Sequence, residues 1–398
     1  MRAAVFRGIC LRVFWRLCFL LPLAGLTAGC EALPAAGPLR SEITEQSQPA
    51  DASVPFVLAD INEHVLSVLA GRSEPTFGRS FGLGRQVGDY TIGVGDGIVV
   101  TLWEAGSGGL FSAPMLNGVS TGSRSTIVPE QQVGRDGSIT IPYAGRIQVR
   151  GKTTAQVEKT IVAGLEGKAI QPQALVSVSR SVSNAATVLG EVTSGARLPL
   201  SPRGDRVLDV IATAGGVRSP VHETFIGLTR SGKTAVVPMQ ALLSRPEENV
   251  YIRPDDTITV IRRPQTFTAF GATGQNSIVP FDAVGITLEE AVAKAGGLRD
   301  ERADPRGVYL LRFEDASLAR AIAAPDVVLP SYGLVPVVYR LDMRQASSIF
   351  MARKFKIRDK DALYVANAAS MDVQKLLTLV NLVTSPVIQG VGVANALK

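Results

Sequence analysis

Cysteine is nearly absent from this chain of 398 residues, and the three cysteines that occur, Cys10, Cys18 and Cys30, all precede residue 31. A disulfide-stapled scaffold and a cysteine-based metal site are therefore excluded from the rest of the chain. Histidine is scarcer still, with two residues. Neither His64 nor His222 has metal-ligand spacing to another ligand, so no metal site is predicted.

Signs of catalysis and of nucleic-acid binding are also lacking. The sequence contains no G-x-S-x-G motif, and a nucleophile and its base cannot be paired from it. The formal net charge is +6, but residues 1–29 contribute four arginines and no acid, which leaves +2 on the remainder. No basic face for nucleic acid is implied. We expect a protein that is not an enzyme, uses no cofactor and does not bind nucleic acid.

The N-terminus is typical of an export leader. Its arginines precede the apolar run LCFLLPLAGLTA, which is too short for a transmembrane helix. The run ends in L-T-A-G-C, and small residues before a cysteine resemble the lipobox of bacterial lipoproteins. We therefore predict a lipoprotein signal peptide over residues 1–29 and lipidation of Cys30, with Glu31 favouring outer-membrane sorting. The alternative is an ordinary leader in which this cysteine is incidental.

Residues 30–89 are predicted to form a lipid-anchored tether and a short helix. Residues 31–55 are rich in Ala, Pro, Ser, Glu and Gln and offer little apolar surface to bury. Residues 56–69, FVLADINEHVLSVL, have apolar side chains at positions 57, 58, 61, 65, 68 and 69. This spacing predicts an amphipathic helix, on which His64 has a structural position.

The region from Tyr90 to residue 183 contains signals for several strands and one helix. YTIGVGDGIVVTLWE is a glycine turn followed by a β-branched strand, and Asp136 with Gly137 in VGRDGSITIP predicts a β-hairpin. Thr153 and Gln156 form a T-x-x-Q capping box, which opens a predicted helix that continues to about residue 166. The alternating sequence PQALVSVSRSV predicts a strand after it.

Two later segments repeat each other. VLDVIATAGGVR, residues 207–218, parallels LEEAVAKAGGLR at an offset of 81 residues, and Gly190 matches Gly271 at the same offset. The closing blocks IRPDDTITV and IRDKDALYV differ by 105, so the second copy should hold an extra loop near residues 316–334. Each copy predicts a hairpin, a helix ended by glycine, and further strands. Thr287 and Glu290 supply a capping box in the second copy.

One motif suggests nucleotide binding. Residues 227–234, GLTRSGKT, match the G-x-x-x-x-G-K-T pattern of phosphate-binding loops. Such a loop needs a helix directly after it, whereas TAVVPMQ follows here and contains Pro238. We interpret the segment as a β-hairpin with SGK as its turn and reject ATP binding. The paired acids Asp255 and Asp256 are interpreted as turn residues that cap backbone N–H groups.

The C-terminal end is apolar. Residues 376–397 carry no charge and lie between Lys375 and Lys398. As a helix they would extend about 33 Å, against a hydrocarbon core of about 30 Å. Polar residues at helical spacing predict one stripe facing water in a pore. These residues are Gln374, Thr378, Asn381 and Ser385. Pro386 leaves open whether the helix continues, and the alternative is a C-terminal helix docked on the soluble body.

In this order, the blocks resemble the outer-membrane polysaccharide export lipoproteins of Gram-negative bacteria over nearly all of the mature chain. IGVGDGIVVTLWE resembles the family's I-G-x-G-D opening, and VGRDGSITIPYAGRIQVRGKT resembles its continuation. The two copies resemble its soluble-ligand-binding β-grasp modules, with A-G-G at 214–216 and 295–297 and P-x-D at 254–256. The second copy departs from the last motif because it has no proline there.

The resemblance implies an α+β fold with a defined domain order. A polysaccharide export domain is expected at 90–183, β-grasp modules at 184–264 and 265–368, and a C-terminal amphipathic transmembrane helix at 369–398. It also implies a homo-oligomeric ring of about eight subunits. The expected partners are the outer membrane and an inner-membrane polysaccharide co-polymerase or export transporter.

The function that the resemblance implies is non-catalytic transport. The ring would be an outer-membrane channel that exports capsular or exopolysaccharide from the periplasm, anchored by lipid and with most of the chain in the periplasm. The alternative is a periplasmic polysaccharide-binding lipoprotein without a pore of its own.

Overall fold

The computed structural model describes residues 37–47, 56–72, 75–84, 90–105, 110, 124–324, 327, 329–330 and 332–371. The chain divides into two compact units. One contains Met1–Ser73, Gln265–Phe281 and Gly285–Lys398, and the other contains Glu74–Pro264 and Asp282–Val284. Helices and β-sheets occur together in both units, which fits the predicted α+β class.

The described helices and strands are numbered in chain order. The α-helices are α1 (Arg40–Gln46), α2 (Glu63–Ala70), α3 (Phe77–Phe81), α4 (Thr154–Leu165), α5 (Val207–Thr213), α6 (Met239–Ser244), α7 (Leu288–Lys294), α8 (Ala316–Ile322) and α9 (Ala346–Lys354). The strands are β1 (Val57–Asp60), β2 (Gly97–Glu104), β3 (Arg124–Gln132), β4 (Ser138–Ile141), β5 (Gly145–Gln148), β6 (Gln173–Arg180), β7 (Ala185–Gly190), β8 (Ala196–Pro199), β9 (Thr224–Arg230), β10 (Lys233–Pro238), β11 (Thr257–Arg262), β12 (Gln265–Gly271), β13 (Ser277–Phe281), β14 (Ala303–Asp315), β15 (Leu334–Leu341) and β16 (Ala362–Asn367).

A three-stranded antiparallel sheet with the order β3-β2-β6 forms the region after Tyr90. Helix α4 contributes Val157, Ile161 and Leu165 to its core, at the i, i+4, i+8 spacing of one helix face. The predicted capping box is confirmed. Thr153 Oγ1 accepts the Gln156 N–H at 3.3 Å, and Gln156 Oε1 accepts the Thr153 N–H at 3.0 Å.

The hairpin predicted at Asp136 and Gly137 is wrong in its strand pairing. A tight turn does form there, with Gly137 at φ 79° and the Gly134 N–H donating to the Ser138 carbonyl oxygen. However, β4 pairs with β5 through a loop at residues 142–144, and the ladder does not extend to β3. A D-G sequence specifies a tight turn, but it does not specify which strand is available for pairing.

The two repeats have the same topology. The first repeat (residues 185–262) has the strand order β10-β9-β11-β7-β8, and the second repeat (residues 265–367) has β15-β14-β16-β12-β13. In each repeat the first strand is parallel to the last, and the other neighbours are antiparallel. The predicted tandem duplication is therefore confirmed at the level of strand order and direction.

One short helix in each repeat covers one face of the sheet, α5 in the first and α7 in the second. Their buried residues recur at i, i+3 and i+4, and they occupy matching positions: Val207, Val210 and Ile211 in α5, and Leu288, Ala291 and Val292 in α7. The predicted capping box of α7 is confirmed by Thr287 and Glu290, which exchange hydrogen bonds. These contacts lower the pKa of the Glu290 carboxyl.

Gly190 and Gly271 end the first strand of each repeat with φ values of 94° and 93°. A Cβ atom would overlap the Val260 carbonyl oxygen at Gly190 and the Val365 carbonyl oxygen at Gly271. Both positions require the left-handed conformation and a close approach of the neighbouring last strand. The sequence match between the two glycines thus reflects the same strand contact in both repeats.

The extra segment of the second repeat lies where the sequence predicts it. Strands β14 and β15 end their pairing at Asp315 and Leu334, and the residues between them include α8. This helix buries Ala316, Ala319 and Ile322 in the core of the second repeat. The equivalent connection in the first repeat is a two-residue turn at 231–232, between β9 and β10.

The helix predicted over residues 56–69 is wrong in its first half. Residues Val57–Asp60 form β1, which pairs in parallel with β15 at the edge of the second repeat. Helix α2 begins only at Glu63, where Asn62 Oδ1 accepts the Val65 N–H at 2.9 Å. Burial in β1 alternates, with Val57 and Ala59 inside. The free edge of β15 provides backbone partners that a helix could not use.

The tether predicted over residues 31–55 also contains ordered structure. Helix α1 lies over the second-repeat sheet, where Ile43 is buried against Tyr309 and Tyr364. The Tyr364 hydroxyl donates to the Pro38 carbonyl oxygen at 2.7 Å, and burial raises the pKa of Tyr364 to about 12. The polar composition of this segment does not predict the docking, which combines one buried apolar residue with polar contacts such as that of Arg40 Nε with Asp304 at 3.2 Å.

Substitution of Gly190 should cost more stability than substitution of Gly216. Both have positive φ values, but a Cβ at Gly216 meets nothing within 4 Å. We expect a loss of about 1 kcal/mol for Gly216→Ala from backbone strain alone. For Gly190→Ala we expect about 3 kcal/mol, because the Val260 carbonyl must also move. Hydrogen exchange of β7 and β11 amides measures the loss of unfolding free energy in both variants. Equal losses would show that the close approach of the Val260 carbonyl oxygen to Gly190 has no energetic consequence.

Candidate functional site

The residues predicted for lipid attachment and pore lining lie outside the described residues. These are Cys30 and the polar stripe of Gln374, Thr378, Asn381 and Ser385. Their roles therefore stay predictions. Within the part of the chain that the structure describes, no helix is both long enough and apolar enough to cross a membrane.

The two histidines occupy unrelated positions. His64 Nε2 lies 3.2 Å from the Ala321 carbonyl oxygen, which links α2 to α8. His222 is largely exposed, with its Nε2 atom 3.9 Å from a carboxylate oxygen of Glu223. Across the described ranges, His, Cys, Asp and Glu do not form a group of three or more that could hold a metal ion.

The G-K-T motif lies in a β-hairpin, as predicted. Strands β9 and β10 are antiparallel and continue directly on both sides of a turn in which Ser231 and Gly232 have positive φ values of 49° and 78°. Lys233 Nζ donates to the Ser80 carbonyl oxygen at 3.0 Å and lies 5.9 Å from the centroid of the Phe81 ring. A phosphate-binding loop presents a helix N-terminus to its ligand, and a strand follows here instead.

Asp96 is a fully buried carboxylate in the glycine turn before β2. Its Oδ1 atom accepts the N–H groups of Val182 and Ser183 at 2.7 and 2.8 Å. Its Oδ2 atom accepts the Gly93 N–H at 2.8 Å and the Ser183 hydroxyl at 2.7 Å. These four hydrogen bonds compensate the desolvation of the charge. Asp96 thereby ties the start of β2 to the segment that leaves β6 and enters the first repeat.

A cavity of about 770 Å³ lies beside this connection, between the β6 end of the three-stranded sheet and the first repeat. We call it the junction groove. Its polar lining consists of Tyr90, Thr154, Ser179, Arg180, Ser181 and Arg197. Next to the lining residues Tyr90 and Ala185, Asn184 Nδ2 donates to the Thr91 carbonyl oxygen at 2.9 Å.

The first repeat contains a buried ion pair between β9 and the turn that precedes β11. Arg230 on β9 contacts Asp256 through Nε and Nη2, at 2.9 and 2.6 Å, and its Nη2 atom also donates to the Tyr251 carbonyl oxygen at 2.7 Å. Asp256 accepts the Arg253 N–H at 2.8 Å. The predicted capping role is therefore confirmed for Asp256, whereas the Asp255 side chain contacts the exposed Arg197 instead. The motif does not predict the pairing of Asp256 with Arg230.

The second repeat contains the same ion pair. Arg312 on β14 contacts Asp361 at 2.8 and 2.6 Å and donates to the Lys356 carbonyl oxygen at 2.8 Å. Asp361 accepts the Arg358 N–H at 2.8 Å, as Asp256 does from Arg253. Charged groups taken from water need this full set of hydrogen bonds to be tolerated.

A second carboxylate extends the network in the second repeat. Glu314 is buried and contacts Arg312, Arg72 and the Tyr339 hydroxyl. Burial raises the pKa of Tyr339, and the negative charge of Glu314 raises it further. Because Arg72 follows α2, this network attaches the N-terminal segment to the second repeat.

The sequence motifs do not predict Arg230, Arg312 or Glu314 as structural residues. The repeat itself held a signal, since Asp256 and Asp361 occupy equal positions in IRPDDTITV and IRDKDALYV. Each arginine also stands near the end of an apolar strand, in FIGLTR and VYLLRF. An arginine at a matching strand position, paired with a matching acid, is the pattern that predicts such a buried pair.

Comparison with known proteins gives two family matches. The model described as polysaccharide biosynthesis/export protein matches residues 85–179, and the SLBB domain model matches residues 265–365. The first match contains the Asp96 turn and most of the three-stranded sheet. The second match covers nearly the whole second repeat, including Arg312 and Asp361.

Relatives align over most of the chain. The capsule polysaccharide export protein BexD of Haemophilus influenzae is 34% identical over 373 residues, covering 92% of this chain and 94% of that protein. The capsule polysaccharide export outer membrane protein CtrA of Neisseria meningitidis serogroup B is 35% identical over 384 residues, covering 95% and 96%. The Vi polysaccharide export protein VexA/TviF of Salmonella typhi is 25% identical over 287 residues, covering 72% and 76%.

Substitution of the two adjacent acids of the first repeat should lower its stability by very different amounts. Asp256→Asn leaves the buried Arg230 charge without its counter-ion, and we expect a loss of about 3–5 kcal/mol. Asp255→Asn is the matched control, because the Asp255 side chain is 79% exposed and pairs with the half-exposed Arg197. We expect it to cost less than about 1 kcal/mol. Hydrogen exchange of β9 and β11 amides reports both changes, and a small loss for Asp256→Asn would show that the pair is dispensable.

Proposed function

The chain belongs to the family of polysaccharide export proteins, and we propose from this premise that it is the outer-membrane channel through which a capsular or exopolysaccharide leaves the periplasm. One observation carries the proposal. Relatives named as capsule polysaccharide export proteins align with more than nine-tenths of this chain and of their own length. The alternative function is a periplasmic polysaccharide-binding lipoprotein that has no pore.

The physical task of such a channel is to keep a hydrophilic polymer in water while it crosses a lipid layer. Sugar hydroxyl groups that entered hydrocarbon would lose their hydrogen bonds, at a cost of several kcal/mol for each unsatisfied group. A ring of about eight copies closed around a wet axis removes that cost. No residue has to break a bond. The inner-membrane co-polymerase or export transporter supplies the driving force.

We propose that the domains have distinct positions in this assembly. The export domain, residues 90–183, and the β-grasp modules, residues 184–264 and 265–368, form the periplasmic wall. The signal peptide, residues 1–29, is removed, and the lipid on Cys30 anchors the tether of residues 30–89. The helix of residues 369–398 contributes one segment of a transmembrane barrel.

The C-terminal stripe is proposed to face the water of the pore. Its polar side chains recur at the spacing of one helix face, and leucine and valine cover the remaining faces. Helices are suited to this position because they satisfy their own backbone hydrogen bonds in lipid. The residues that we assign to the pore wall are Gln374, Thr378, Asn381 and Ser385.

Deletion of residues 372–398 should abolish polysaccharide export without unfolding the described residues. We expect cells that carry this variant in place of the intact gene to have no surface polysaccharide, which is measured by labelling the polysaccharide on intact cells. As a control, Lys398→Ala removes one terminal charge and leaves the apolar segment whole.

Cys30→Ser should lower membrane attachment, because the chain then loses its acyl anchor.

The same variants separate the two proposed functions. Electron microscopy of the detergent-extracted wild-type protein should show rings, and the truncated protein should no longer insert in the membrane. If the truncated protein exports polysaccharide normally and the intact protein is monomeric, the channel is wrong and the periplasmic binding lipoprotein is favoured.

A further inference from the structure

The junction groove has an unbalanced charge. Arg180 and Arg197 both line it, and no carboxylate lines it among the described residues. The chain as a whole carries 41 basic and 35 acidic residues, so such segregation is not a result of a strongly basic composition. A concave surface with one sign of charge raises the local concentration of oppositely charged ligands.

Both arginines have guanidinium N–H groups available to a ligand. The Arg180 side chain is exposed and has no ion-pair or hydrogen-bond partner in the described part of the chain. Arg197 Nη2 contacts Asp255 at 2.9 Å, but both side chains are at least half exposed and this single contact leaves other guanidinium donors available. Exposed pairs of this kind contribute little energy and exchange partners readily.

The remaining lining suits a sugar. Tyr90, Thr154 and Ser179 add hydroxyl groups to the wall. The Ser181 side chain lies next to Tyr90, whose pKa is raised by burial in this wall. The groove volume of about 770 Å³ is within the range of small-molecule sites.

The groove is also held in shape before any ligand arrives. Its wall includes Val182, whose N–H group donates to the buried Asp96 carboxylate. On the first-repeat side it includes Ala185, which begins β7, and Pro199, which ends β8. A site built from strand ends and a hydrogen-bonded connection loses little conformational entropy on binding.

We propose that the junction groove binds carboxylate-bearing sugar units of the transported polysaccharide, with Arg180 and Arg197 pairing the carboxylate groups. The geometry of guanidinium groups suits carboxylates, because two parallel N–H donors meet two oxygens. This proposal rests on the proposed export function and adds the chemical class of the polymer, which is acidic.

The test uses the full-length protein purified in detergent and three labelled probes. These are oligogalacturonate and hyaluronan oligosaccharides, which carry carboxylates, and dextran of similar length, which does not. Fluorescence anisotropy measures binding at low and at high salt. We expect the wild-type protein to bind at least one acidic probe more tightly than dextran, and salt to weaken that binding.

The groove is tested by the double variant Arg180→Gln with Arg197→Gln. We expect it to bind the acidic probe about tenfold more weakly, since two charge-assisted contacts are lost at a partly exposed site. The matched control is Arg245→Gln, an exposed arginine outside the groove that removes the same kind of charge. It should change binding less than about twofold. Circular dichroism of all variants shows whether folding is retained.

Three results would overturn the proposal. The first is equal binding of dextran and of both acidic probes by the wild-type protein. The second is unchanged binding by a folded double variant, and the third is an equal loss of binding in Arg245→Gln. None of these results tests the export function. That function is tested separately, by measuring surface polysaccharide on cells with and without the gene. If surface polysaccharide is normal without the gene, the export function fails whatever the groove binds.

Discussion

A buried arginine that pairs with a carboxylate in the turn before the neighbouring strand is the interaction on which both repeats depend. In each repeat the arginine also donates to a carbonyl oxygen of the connection that precedes the last strand, at Tyr251 or Lys356. The carboxylate in turn caps the turn that starts this strand, where Asp255 and Lys360 have φ values of 64° and 70°. In each repeat, one ion pair therefore holds together the strand that carries the arginine, the turn and the last strand. Removal of either partner would leave an unpaired charge in a dry environment.

The second repeat adds to this arrangement. Glu314 brings a further buried charge and recruits Arg72 from the N-terminal segment, while β1 extends the sheet at its edge. The first repeat has its own preceding segment, since α3 places Phe81 5.2 Å from the Arg230 guanidinium and the buried Glu248 accepts the Phe77 N–H. Each repeat is thus completed by residues that come earlier in the chain. A sheet edge covered in this way is protected from pairing with other chains.

Asp96 fixes the connection between the three-stranded sheet and the first repeat, because its carboxylate accepts four hydrogen bonds there. The channel proposed above would need walls of this kind, which keep their shape while sugar units move past. The junction groove lies beside this fixed connection. In the proposed site, pairing by exposed arginines is weak, so a sugar unit would be released as readily as it is bound.

The sequence by itself determined the features that act over a few residues. The capping boxes at Thr153 and Thr287, the i, i+3, i+4 burial of α5 and α7, the glycines of each repeat and the hairpin at Lys233 all follow from local spacing. Tertiary structure alone decided that Val57–Asp60 form a strand beside β15, that Ile43 docks against Tyr309 and Tyr364, and that Arg312 meets Asp361. The physical reason is that periodicity and caps satisfy backbone groups near in sequence, whereas an edge strand or a buried charge is stable only where a distant partner exists.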